Sequence, residues 1–316
     1  MNDTPLFLKP VFQERIWGGT ALYDRFGYEI PSAITGECWA ISAHPNGLSL
    51  IENGKFQGKS LKEVWENHHE LFGNYKSEKF PLLIKILDAN EELSVQVHPN
   101  DDYAKEHENG EYGKTECWYI IDCDQDAELV FGHHAKTKEE VREMIQSGNW
   151  ERFLRKVTIR PGDFFYVPSG TVHALCNGTL VLETQQSSDT TYRVYDYDRV
   201  DNQGSKRELH LEKAMGVINA PHIDTNIAPK IEKREGVEVT KFVQNHFFSV
   251  NKWDVNGEAT FQQNQAFMLV SIIDGEGRLF KGSEGYTIRK GAHFILPYKY
   301  GEFILKGNMK LIVSHP

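Results

Sequence analysis

The amino-acid sequence predicts a mainly β protein made of two successive strand-rich units, with a few helices inserted in the first. Three observations carry this. Short β-type runs follow one another closely through residues 37–184. The pattern R-x-G-x-x-F, two apolar residues and Pro occurs twice, as Arg160-Pro-Gly-Asp-Phe-Phe-Tyr-Val-Pro168 and Arg289-Lys-Gly-Ala-His-Phe-Ile-Leu-Pro297. Between the copies, residues 220–236 mix Pro, Asn, Asp and charge without periodicity and read as a linker. The expected units are therefore residues 1–235 and 236–316.

The strand candidates are 37–42, 80–88, 92–98, 116–122, 127–131, 163–167, 171–176 and 179–184. Segment 92–98 alternates strictly: Leu93, Val95 and Val97 point one way, Ser94, Gln96 and His98 the other. Helices are fewer. Ser60 with Glu63, and Thr137 with Glu140, have the spacing of capping boxes, in which each side chain satisfies the other's free backbone N–H. Apolar residues follow at helical spacing: Leu61, Val64 and Trp65 in the first case, Val141, Met144 and Ile145 in the second. A third helix is expected over 208–218.

Composition narrows the function classes. The 316 residues are 40% apolar and 12% aromatic, enough for a sizeable core. Lys and Arg number 35 against 45 Asp and Glu, a net charge of −10, which argues against non-specific binding to nucleic acid or anionic membrane. A local cationic pocket for an anionic substrate remains compatible with that total. No apolar run reaches the roughly 18 residues of a membrane span, and Met1 to Pro10 lacks the pattern of a secretory signal. Cys38, Cys117, Cys123 and Cys176 form no CxxC pair and are expected as reduced, core-filling thiols in a cytoplasmic protein.

Four residues suggest a metal site. Gln96 and His98 share one strand face, Glu116 begins another strand, and His173 begins a third. Two imidazoles, a carboxylate and an amide oxygen suit a divalent metal. Histidines at such positions also serve as hydrogen-bonded structural groups. The pairs His68-His69 and His133-His134 lie in polar surroundings and are expected to be solvated.

Around these residues the sequence resembles a known family. Phe80-Pro-Leu-Leu-Ile-Lys-Ile-Leu-Asp-Ala-Asn90 leading into Leu93-Ser-Val-Gln-Val-His-Pro-Asn100 is similar to the hallmark of type I mannose-6-phosphate isomerases. Gly113-Lys-Thr-Glu116, Pro168-Ser-Gly-Thr-Val-His173 and Leu182-Glu-Thr-Gln-Gln-Ser-Ser-Asp-Thr-Thr-Tyr-Arg193 resemble its later elements, in order. Arg15-Ile-Trp-Gly-Gly19 and Gly36-Glu-Cys-Trp39 resemble N-terminal ones. The repeated Gly-turn, strand and Pro segment is a recurrent cupin element. The chain lacks the long helical insertion of the larger members and resembles the short bacterial form.

The resemblance implies two tandem cupin barrels, of double-stranded β-helix or jelly-roll type. The catalytic one would occupy 1–235 and a metal-free one 236–316, where Glu302 aligns with His173. It implies one zinc per chain on His98, Glu116 and His173, with Gln96 matching a fourth ligand of the larger forms. It implies reversible aldose–ketose isomerisation of mannose 6-phosphate and fructose 6-phosphate through a cis-enediol. Arg193, Lys114 and Glu183 are the implied catalytic groups, and Ser94, Lys114 and Arg193 the substrate contacts. Trp17, Glu37 and Trp39 are expected near the pocket mouth. Bland readings stand beside these: Arg193 paired with Asp196 or Asp198 on the surface, Lys114 as a turn lysine, Ser94 bonded to backbone. Two His and one Glu also describe the facial triad of cupin oxygenases, and a non-catalytic sugar-phosphate-binding cupin is a further alternative.

Overall fold

Strand pairing organises the chain into three antiparallel sheets, in a computed structural model that describes residues 4–200 and 204–316. The first sheet has six strands in the order Phe164–Val167, Glu116–Cys123, Thr179–Gln186, Leu82–Ala89, Thr35–Ile41 and Val11–Gly19. Every residue of Leu82–Ala89 and Thr179–Gln186 is buried, as expected of central strands covered on both faces. The second sheet has five strands: Tyr192–Tyr195, Val95–Val97, His173–Leu175, Glu128–His133 and Leu154–Thr158. Trp118, Val181 and Leu87 from the first sheet share one apolar cluster with Leu129 and Leu175 from the second, so the two sheets enclose a common core.

The outer faces are covered differently. Helices Lys138–Gln146 and Leu211–Val217 contribute Val141, Ile145 and Ala214 to the core behind the five-stranded sheet. Behind the six-stranded sheet, Leu82, Ile84 and Ile86 join Trp65 and Phe72, and also Phe267 and Ile295 from the C-terminal part. The third sheet, of nine strands, closes around its own core of Trp253, Phe261, Phe294 and Phe303.

Both copies of the repeated segment form a turn and a strand, Phe164–Val167 and His293–Leu296. Their glycines, Gly162 and Gly291, take φ of +97° and +86°, which a side chain would resist. The nine-stranded sheet crosses the expected boundary between units. Lys230–Arg234, within the expected linker, pairs with Val237–Gln244. Leu6–Lys9 pairs with His293–Leu296 from the far end of the chain. Tyr28 strengthens that junction: its hydroxyl lies 2.7 Å from His293 Nε2, and His293 Nδ1 lies 2.9 Å from Ser271 Oγ.

The helix signals had mixed outcomes. Ser60 and Glu63 form a reciprocal capping box at Leu61–Asn67. Thr137 caps Lys138–Gln146, but Glu140 turns its carboxylate to the Lys136 N–H instead. The third helix is shorter than expected, Leu211–Val217. Helices Ala21–Phe26, Asp101–His107 and Trp150–Phe153 add to those expected. Asn100 Oδ1 caps the second of these, accepting from the Tyr103 N–H at 2.9 Å. Among the described residues, no helix is long and apolar enough to cross a membrane.

Candidate active site

Pairing register delivers the site residues. Gln96 stands opposite His173 on one side and Arg193 on the other. Directly opposed residues of antiparallel strands share a face, so these three project together from the five-stranded sheet. Across the six-stranded sheet, Trp118 opposes Glu183, Glu183 opposes Lys85, and Lys85 opposes Trp39. Glu116 lies two residues before Trp118 and faces the same way. The two faces converge on a cavity of about 360 Å³ whose lining includes Ser94, Gln96, Lys114, Glu183 and Arg193.

His98, Glu116 and His173 gather behind its wall, against the lining residues Gln96 and Lys114, all within 4.8 Å of one another and almost fully buried. Their hydrogen bonds define what they offer. His98 Nδ1 is 2.9 Å from the Thr190 carbonyl oxygen and His173 Nδ1 is 2.8 Å from that of Thr171. A carbonyl only accepts, so each Nδ1 carries the proton and each Nε2 presents a lone pair. The two Nε2 atoms face one another at 3.2 Å. Glu116 brings Oε2 to 3.5 Å from His98 Nε2 and Oε1 to 3.4 Å from His173 Nε2. That Oε1 is buried without a hydrogen-bond partner. Converging lone pairs and an orphaned carboxylate oxygen form a donor set that fits a divalent metal. Burial, then Lys114, pushes the His98 imidazolium well below its usual range, and burial chiefly holds His173 at about 4. Both rings are therefore neutral, as ligands must be. Gln96 Nε2 is 3.4 Å from His173 Nε2, beside the cluster.

Around the cluster, Lys114 donates to Glu116 Oε2 and to His98 Nε2, and lies 3.8 Å from Glu183 Oε1. Burial disfavours its charge, but Glu116 and Glu183 outweigh burial and raise its pKa above the ordinary lysine value. Glu183 accepts from Trp118 Nε1 at 2.9 Å. Burial, reinforced by Glu116, raises its carboxyl pKa. Ser94 Oγ accepts from Arg193 Nε at 3.2 Å, and Arg193 Nη1 donates to the Glu208 carbonyl at 2.8 Å. Arg193 is not the surface partner of Asp196 or Asp198: those carboxylates pair with Arg199, Arg207 and Lys206.

Four sequence expectations need correction. Leu93 lines the cavity instead of sharing a face with Val95 and Val97. His69 is half-buried rather than solvated, its Nε2 2.7 Å from the Tyr75 carbonyl oxygen. Trp39 is fully buried rather than at the mouth; it donates to Glu37 and lies under Lys85, because the alternation that points it inward sets it below the cavity wall. His133 is not solvated. It ends a strand, is 4% exposed, and its Nε2 donates to the Asn219 carbonyl at 2.8 Å. Trp17 and Glu37 do line the cavity.

Lys85, Arg15, Asp189 and Arg207 also line it, and sequence reasoning passed over them. Burial would raise the Glu37 carboxyl, but Lys85 and Arg15 outweigh it and hold it at about 2. Lys85 left a usable signal, the one basic residue inside the largely apolar run Leu82–Ala89. Arg207 left none, sitting in a stretch without periodicity.

A buried His–His–Glu set between antiparallel sheets, bordering a polar and cationic pocket, marks a cupin-type metalloenzyme. Comparison with known proteins narrows the class. Residues 6–120 match the family model "Phosphomannose isomerase type I, catalytic domain", and residues 238–316 match "Mannose-6-phosphate isomerase, cupin domain". A probable mannose-6-phosphate isomerase of Bacillus subtilis is 58% identical over 99% of both chains. The mannose-6-phosphate isomerase of Streptococcus mutans is 52% identical over 98% of both. The crystal structure of a Bacillus subtilis mannose 6-phosphate isomerase superposes with a TM-score of 0.98 at 56% identity, covering 99% of this chain and 100% of that one. The chain belongs to the type I phosphomannose isomerase family.

Proposed function

We propose that the chain interconverts mannose 6-phosphate and fructose 6-phosphate through a cis-enediol, in the cavity between the first two sheets. The observation that carries this is a single pocket joining an acid–base pair and a cation without a carboxylate partner among the described residues, with a metal-type donor cluster directly behind its lining residues Gln96 and Lys114. His98, Glu116 and His173 would hold one zinc, which the two-imidazole, one-carboxylate set suits; Gln96 lies beside them and would add a fourth donor with its amide turned to present the oxygen. When bound, the metal supplies Lewis acidity toward the sugar oxygens.

The remaining chemistry falls to the chain's own groups. A proton must leave C2 of the aldose and reach C1. Glu183 Oε1 faces Lys114 while Oε2 is fixed by Trp118, so one carboxylate oxygen is free to take and return that proton. Lys114 Nζ is a donor to sugar oxygens that gain charge in the enediol. Ser94 fixes Arg193, which meets the negative charge of the substrate. Trp17, Leu87 and Leu93 close the walls against water.

The same reading keeps two tandem cupin barrels, a catalytic unit over 1–235 and a metal-free C-terminal unit over 236–316. The nine-stranded sheet borrowing Leu6–Lys9 ties the second to the first. Four free cysteines agree with a reducing, cytoplasmic setting. A cupin oxygenase and a non-catalytic binding cupin are disfavoured by full-length relatives that carry the isomerase name. The test is a coupled assay of fructose 6-phosphate formed from mannose 6-phosphate by purified protein. Binding without interconversion would leave the non-catalytic alternative standing.

A further inference from the structure

We propose that Arg193 and Arg207 form the seat of the substrate's phosphate, and that Asp196 is the residue positioning Arg207 for it; this rests on the isomerase reading above. The argument begins with charge. In the pocket, Arg15 is bonded to Glu37, and Lys85 lies between Glu37 and Asp189. Those two cations and two carboxylates cancel. Lys114 is engaged by Glu116 and Glu183.

The uncompensated charge lies at the other wall. The guanidiniums of Arg199 and Arg207 share the single carboxylate of Asp196, while that of Arg193, bonded to Ser94 and the Glu208 carbonyl, has no carboxylate partner among the described residues. The excess of two positive charges matches a phosphate monoester, which carries about −1.5 to −2 near neutral pH. Arg193 and Arg207 line the cavity, whereas Arg199 is turned away, donating to the Glu92 carbonyl and resting on the Tyr197 ring. Burial first, and the charge of Arg207 next, hold the Arg193 pKa below the usual arginine range, so an anion bound at this wall would relieve the repulsion.

Asp196 is built to aim Arg207. It is 5% exposed and accepts from Arg207 through both oxygens, Nε to Oδ2 at 2.7 Å and Nη2 to Oδ1 at 2.5 Å. That grip uses one edge of the guanidinium and leaves Nη1 without a carboxylate among the described residues. The turn after Asp196 holds Tyr197 and Asp198 both at φ +55°, a conformation costly for a bulky residue. Strain kept by surrounding bonds is a feature of binding sites. Gln96 beside His173, and Arg193 opposite Gln96, connect this wall to the metal cluster through one residue layer. A sugar phosphate held at both ends would span that layer.

The experiment uses R207A, R207K and D196N with wild type. It reads KM and kcat for mannose 6-phosphate, the inhibition constant of inorganic phosphate, and the thermal shift that phosphate produces. R207A should raise KM about tenfold or more with kcat within about threefold, and weaken phosphate inhibition by the same factor. R207K should recover part of the loss. D196N should fall between wild type and R207A, and R207A/D196N should be no worse than R207A, because both act through one guanidinium. Unchanged KM and phosphate inhibition in folded R207A would overturn the phosphate seat, as would a fall in kcat alone. A D196N protein that fails to fold would overturn the positioning role, leaving Arg207 to be judged on R207A and R207K. Wild type that is stabilised by phosphate through Arg207, yet does not isomerise mannose 6-phosphate, would overturn the functional reading and not the anion site.

Discussion

Glu183→Gln separates chemistry from architecture more cleanly than any other single change in the pocket. The side chain is 3% exposed, with Oε2 accepting from Trp118 Nε1 at 2.9 Å and Oε1 3.8 Å from Lys114 Nζ. Glutamine has the same shape, and its amide oxygen can still accept from Trp118. Lys114 retains Glu116 as counter-charge. The fold therefore loses little. Burial raises the Glu183 carboxyl pKa, so the ionised group opposes folding above its unfolded pKa, and a neutral amide removes that cost. Stability should stay level or rise. Proton transfer is lost outright. A positioned acid–base group contributes about 10²- to 10⁴-fold, or roughly 2.7–5.4 kcal/mol of barrier. The assay is steady-state isomerisation of mannose 6-phosphate, with metal content and thermal unfolding measured on the same samples. The expected result is kcat down by at least about a hundredfold, KM within a few-fold, metal retained and the melting temperature level or higher. A folded, metal-loaded variant with kcat within about threefold of wild type would refute the proton-carrying role.

Other perturbations test the remaining parts. Arg193→Ala should lose about 3 kcal/mol of transition-state stabilisation, roughly a hundredfold in kcat/KM, and Arg193→Lys should rescue it poorly. Metal content should hold, since Arg193 bonds Ser94 and Glu208 rather than the cluster; unchanged kcat/KM with full metal would exclude the role. His98→Ala or His173→Ala should lower bound metal and turnover together, and full occupancy in the double variant would show that the ion lies elsewhere. Folded His293 is held down at about 3 by burial against an ordinary 6.5, so between those values the unfolded chain binds the extra proton. Its contribution to stability is whole above pH 6.5 and declines as pH falls toward 3, by up to about 1.4 kcal/mol per pH unit. The stability gap between wild type and His293→Gln, from denaturant unfolding, should narrow over that window; a gap independent of pH would contradict it.

How far the sequence could be read depended on whether a feature was local. Alternation in 92–98 places Ser94, Gln96 and His98 on one face, and the structure keeps Val95 and Val97 buried on the other, but Leu93, which precedes the strand Val95–Val97, lines the cavity with Ser94 and Gln96 instead of joining them. The Gly162 and Gly291 turns were visible because only a small residue tolerates them. Register between distant strands is not written locally. The row Trp118, Glu183, Lys85 and Trp39 exists only once four strands are aligned, so Lys85 and the true place of Trp39 were hidden. The same holds for Leu6–Lys9 on His293–Leu296, a pairing between opposite ends of the chain. Arg207 reaches the pocket through an ion pair with Asp196, and no periodicity announces an ion pair. The polar neighbours of His133 point to solvent, whereas its strand position puts it against the Asn219 carbonyl.

If His98, Glu116 and His173 hold one metal, isomerisation depends on it. This dependence is tested most directly by measuring metal per chain and mannose 6-phosphate isomerisation on one preparation, as purified, after chelation, and after zinc is restored. The expected result is about one metal per chain, loss of activity in step with loss of metal, and recovery on adding zinc. Full activity in metal-free protein, or no interconversion in fully loaded protein, would contradict it.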